Sequence, residues 1–107
     1  MVDRRRLPDR RPCLTIGLEH EGIHYTASCG FFSDGTLAEI FFDTRKGGSS
    51  LNTSVRDAGV LISLCLQNGC STETIAHALS RNSDGSASGV IGAALDKIAA
   101  ELQRGGR

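Results

Sequence analysis

The order of patterns along this chain predicts an α+β fold, a three-stranded antiparallel meander followed by three helices packed on one face. Three observations carry that prediction. Residues 14–31 alternate apolar and polar side chains, an Asp34-Gly35 pair separates that stretch from another β-like run, and the spacing turns helical after residue 50.

The first strand places Leu14, Ile16 and Leu18 on one side, with Thr15 and Gly17 on the other. Glu19-His20-Glu21-Gly22 is the turn. Ile23, Tyr25, Ala27, Cys29 and Phe31 then share a face opposite His24, Thr26 and Ser28, the period-two signature of a half-buried strand. Ser33-Asp34-Gly35-Thr36 makes the second hairpin turn, and Leu37 to Asp43 is the third strand. Thr44 to Ser50 breaks the pattern, and Ser49 or Ser50 offers a hydroxyl to cap a helix. Leu51, Val55, Ala58, Ile62, Cys65 and Leu66 follow at helical spacing. Because Val60 to Leu66 is apolar nearly all round, this helix is expected to be central, with Cys65 buried in it. Gly69 ends it, Ser71 caps a short second helix, and Asn82 to Ser88 is a polar loop. A third helix begins near Gly89 with Ile91, Ala94, Leu95, Ile98 and Leu102 on one stripe. The reading divides the chain into a flexible basic arm, residues 1–12, and one α+β domain, residues 13–104.

At 107 residues the chain has enough surface to bury for one core and not two. Twelve basic residues balance twelve acidic ones, so no overall field favours nucleic acid or membrane. The balance hides an asymmetry: residues 1–11 hold five arginines against Asp3 and Asp9, a net of +3. No apolar run is long enough to span a membrane, and the charged N-terminus lacks the apolar stretch of a signal peptide. A cytoplasmic location is the expectation. The four cysteines, at spacings of 16, 36 and 5, contain no CxxC pair and predict neither a metal site nor a disulfide framework.

Catalytic chemistry is sparse. Glu39 reads as a solvated strand carboxylate and His77 as a surface helix residue. Cys70, just after Gly69, is the thiol with the most reactive placement. The best candidate binding element is Arg45, Lys46, Gly47, Gly48 and Ser49: two cations, glycines that let a ligand approach the backbone, and a helix start whose free N–H groups favour an anion such as a nucleotide phosphate.

The run from Asp34 to Phe42, then Lys46-Gly47-Gly48-Ser49, then Leu61 to Gly69, then Glu73-Thr74-Ile75 resembles the TSCPD domain over about residues 12–102. That domain occurs near the C-terminal end of adenosylcobalamin-dependent, class II ribonucleotide reductases and in short stand-alone proteins. The family's Thr-Ser-Cys-Pro-Asp signature would fall near Gly92 to Asp96, where Asp96 matches and Ala94 stands in place of the cysteine. The resemblance implies a non-catalytic accessory or regulatory module for deoxynucleotide synthesis, partnered by a reductase or a nucleotide. The reductase barrel needs far more chain than this, so adenosylcobalamin is expected only in the full-length reductases and no cofactor in this chain. The alternative reading is a small nucleic-acid-binding regulator that grips phosphates through Arg4, Arg5, Arg6, Arg10 and Arg11. Association of copies into a homo-oligomer is compatible with both.

Overall fold

The computed structural model describes residues 13–44 and 49–104. Three strands, β1 (Cys13–His20), β2 (Ile23–Phe31) and β3 (Leu37–Thr44), pair antiparallel in the order β1-β2-β3. Three helices follow, α1 (Ser49–Gln67), α2 (Thr72–Ala78) and α3 (Val90–Arg104). The predicted α+β meander-then-helices order is the one observed.

The register explains how alternation becomes a core. Leu14 pairs with Cys29 and Cys29 with Ile40; Ile16 with Ala27 and Ala27 with Phe42; Leu18 with Tyr25 and Tyr25 with Thr44. Each row puts side chains on one sheet face, and that face is buried against Val55, Ile62 and Leu66 of α1 and Ala94, Leu95 and Ile98 of α3. A register shift between Gly30 and Phe31 puts two adjacent β3 residues, Leu37 and Ala38, inside. Ile40, Leu95 and Ile98 are at most 1% exposed and form the centre.

The strands join through short turns. Glu21-Gly22 links β1 to β2, both residues with positive φ. Between β2 and β3, the Gly35 N–H donates to Phe32 O at 2.9 Å and the Phe32 N–H to Thr36 O at 2.8 Å. Asp34 Oδ1 accepts from the Thr36 N–H at 3.0 Å and the Thr36 hydroxyl at 2.6 Å. The α2–α3 connection repeats this turn atom for atom: Gly85 N–H to Asn82 O at 2.9 Å, Asn82 N–H to Ser86 O at 2.8 Å, and Asp84 Oδ1 accepting from Ser86 at 2.9 and 2.6 Å. Both glycines have φ of +90°, a conformation that a Cβ makes costly.

The position of α1 corrects the sequence reading. It lies along the outer edge of β3 rather than in the middle of the molecule. The Ser63 hydroxyl accepts from the Ile40 N–H at 2.9 Å and donates to Ile40 O at 3.1 Å, while Gln67 Nε2 donates to Ala38 O at 3.1 Å. These are strand groups pointing away from β2, so α1 closes an edge that would otherwise be free to pair. Its far side is left open. Val60, Leu61 and Leu64 are 48%, 63% and 40% exposed, and Cys65, expected inside, is exposed. Among the described residues no helix is long and apolar enough to cross a membrane.

Candidate functional site

Of the predicted anion-binding turn, Arg45, Lys46, Gly47 and Gly48 lie outside the described residues, as do Arg4, Arg5, Arg6, Arg10 and Arg11; Ser49 opens α1. The flanks of that turn are described. Thr44 ends β3 with its hydroxyl donating to His24 O at 2.8 Å. On the sheet face away from the core, His24, Thr26, Ser28, Asp43 and Arg56 line a hollow of about 740 Å³ beside the β3–α1 junction. At the start of α1, Asn52 Oδ1 is a buried acceptor with no hydrogen-bond partner among the described residues.

A second, more apolar groove of about 980 Å³ opens on the other side of the fold. Phe32 and Leu37 come from the β2–β3 hairpin, Leu66 from the end of α1, and Leu95, Ile98 and Leu102 from α3. Its rim is organised by Arg81, which follows α2. Its guanidinium makes a two-pronged bond to Asp96, Nη1 to Oδ2 at 2.6 Å and Nη2 to Oδ1 at 3.1 Å. The same group donates to Ala76 O at 3.0 Å, so one side chain ties α2 to α3. The Arg81 hydrogen bond, helped by its charge and that of His77, holds the Asp96 carboxyl below its ordinary range and raises Arg81 in turn. Sequence reading missed this pair. Arg81 and Asp96 are 15 positions apart and on different elements; the one available signal was Asp84-Gly85-Ser86, which repeats the hairpin chemistry of Asp34-Gly35-Thr36 and brings Arg81 against Ala87.

The remaining candidates are dispersed. Glu39 stands on the outward sheet face against Gly30, where an added Cβ would come within 2.7 Å of its carboxylate. His77 is exposed on α2. Ala94, at the position taken for the family cysteine, is fully buried in α3 and carries no reactive group. All four cysteines are free thiols, Cys29 buried and Cys13, Cys65 and Cys70 exposed. Among the described residues no three His, Cys, Asp or Glu side chains gather as a metal site would need.

Comparison with known proteins returns one family. The model of the TSCPD domain matches residues 4–104. A vitamin B12-dependent ribonucleotide reductase of Bradyrhizobium diazoefficiens is 35% identical over 69 residues, 64% of this chain and 6% of that protein. The protein of the same name from Agrobacterium fabrum is 33% identical over 76 residues, 71% of this chain and again 6% of its own length. The chain thus spans a small fraction of the relatives it matches. No solved structure matches. The family match runs through all three strands and all three helices, and on that ground the chain belongs to the TSCPD domain family.

Proposed function

We propose that this chain is an accessory or regulatory module of class II ribonucleotide reduction, acting on deoxynucleotide synthesis by binding a reductase or its nucleotide ligands and performing no reduction itself. The observation that carries the reading is the pair of reductase relatives, each matching most of this chain with 6% of its own length. Function resides in a site and not in a fold, so a match to 6% of a reductase does not by itself bring that enzyme's reaction centre with it. In keeping with this, Arg81 and Asp96 at the groove rim are committed to one another, and the groove floor is largely aliphatic and aromatic. Adenosylcobalamin belongs to the reductase in this reading. Among the described residues that line the groove, His77 is the one imidazole.

Nucleotide enters by the Arg45 to Ser49 turn. The hollow beside it, lined by His24, Asp43 and Arg56 as well as by Phe41 and Val60, favours a ligand with both hydrogen-bonding and apolar parts at that end of the molecule. The test is a calorimetric titration of the full chain with a class II reductase from the same source, with deoxynucleoside triphosphates and with duplex DNA. Saturable binding of reductase or nucleotide that falls tenfold or more in an Arg45→Ala, Lys46→Ala double variant supports the proposal. Binding of DNA alone, abolished by deleting residues 1–11, replaces it with the nucleic-acid reading. Deoxynucleotide formation by the pure chain with adenosylcobalamin and a dithiol refutes the non-catalytic role.

A further inference from the structure

The C-terminus of α1 ends in a geometry that brings the backbones of two cysteines together. Gly69, with φ of +102°, reverses the chain; its N–H donates to Leu66 O at 3.3 Å and the Cys70 N–H reaches back to Cys65 O at 2.9 Å. This double bond pattern is the Schellman cap, and Cys65 and Cys70 occupy the two positions whose side chains commonly touch across it. Standard bond lengths on either side of a 2.9 Å hydrogen bond keep the two Cα atoms within about 6.8 Å, inside the span that a disulfide bridges. Both thiols are exposed. Cys29, by contrast, is 1% exposed in the core.

We propose that Cys65 and Cys70 form a dithiol site that low-molecular-weight disulfides of the glutathione class close reversibly into an intrachain disulfide. One cysteine, as thiolate, attacks the small disulfide; its S–S bond breaks, a mixed disulfide forms and one thiol leaves. The second cysteine attacks the protein sulfur of that mixed disulfide and expels the second thiol. In sum the protein gives up two protons and two electrons, and the small disulfide becomes two thiols. The cap supplies what makes the second step intramolecular: backbone bonds already present in the fold hold the two cysteines within the span of a disulfide. Cys70 also lines the groove below α2, so closure pins the α1–α2 corner at the groove mouth. This site is independent of whether the chain binds a reductase or a nucleotide.

The experiment is intact-mass analysis of the full chain after exposure to excess oxidised glutathione, acid quench, denaturation and alkylation. Two of the four cysteines should lose alkylation, with no glutathione retained. The loss of two hydrogens should map to the tryptic fragment Asp57 to Arg81, which contains Cys65 and Cys70 and no other cysteine. Reduced glutathione should reverse it. In Cys70→Ser and Cys65→Ser, both surface changes, glutathione should stay attached to the remaining thiol because nothing resolves it. A wild-type chain that stops at the mixed disulfide, or that links Cys13 or a second chain instead, overturns the proposal.

Discussion

Ser63 shows how one hydroxyl settles the position of a helix. It sits within the run Val60-Leu61-Ile62-Ser63-Leu64-Cys65-Leu66, is 5% exposed, and satisfies both the N–H and the carbonyl of Ile40. Ser63→Ala leaves those strand groups buried without a partner, which costs about 1–3 kcal/mol in urea unfolding. Cys65 is the converse case: a residue expected to carry core packing lies on the surface, so Cys65→Ala changes stability by less than about 0.5 kcal/mol. The buried thiol is Cys29. Burial, with a smaller contribution from Cys13, pushes it up to about 11 from an ordinary 9.0. The folded chain therefore holds its proton after the unfolded chain has released it. Its contribution to stability is complete below pH 9.0 and is lost as the pH rises through about 11. Cys29→Ala flattens this alkaline limb in pH-dependent melts, at a cavity cost of about 1 kcal/mol.

At the scale of elements, the strands were the most legible part of the sequence, because alternation of side chains reports directly which face is wet. Helix α1 was legible in extent and not in placement. An apolar run nearly all round describes equally a helix enclosed by the core and one lying on a sheet edge with its outer stripe bare. The distinguishing signal was Gly59, Ser63 and Gln67, spaced by four, a small-and-polar stripe that meets strand backbone. A Cβ on Gly59 would stand 2.9 Å from Ile40 O and 3.2 Å from Phe42 Cδ2. Gly59→Ala is thus expected to destabilise, although alanine favours helix by about 1 kcal/mol over glycine; a lower denaturation midpoint checks it. The α2–α3 link behaves differently. Asp96 is held below the ordinary carboxylate value of 3.8 by Arg81 first, so its contribution is present above that value and fades as the pH falls through the depressed one. Asp96→Asn should lower Tm by a few degrees at most at neutral pH, since the pair is largely exposed, and should match the wild type in strong acid. Beyond the Asp84-Gly85-Ser86 turn, this pair had no sequence signature, because the geometry of the loop and not the spacing of the two residues sets the contact.

For the molecule as a whole, composition predicted a core of ordinary size, and the structure places that core between one sheet face and three helices. The candidate ligand turn was read from residue types alone, glycines beside cations at a helix start, and such a pattern says where an anion fits without saying which one. The sealing of β3 by α1 has a consequence for how copies can meet. By the alternation of the ladder, Thr15, Gly17 and Glu19 turn their backbone groups away from β2, and of these Gly17 O is occupied by Lys97 Nζ at 2.7 Å. Among the described residues no strand lies beyond β1. Counted over the described residues, the sheet therefore has a valence of one. Backbone pairing between two chains, β1 to β1, uses up both free edges and ends at a six-stranded pair closed by an α1 at each end, so growth by this route terminates at two and cannot run on into a filament. Sedimentation of the concentrated wild type should show no ladder of species beyond dimer. In Gly59→Ala, where an added Cβ crowds Ile40 O and loosens the helix from the second edge, a small population of species beyond dimer should begin to appear.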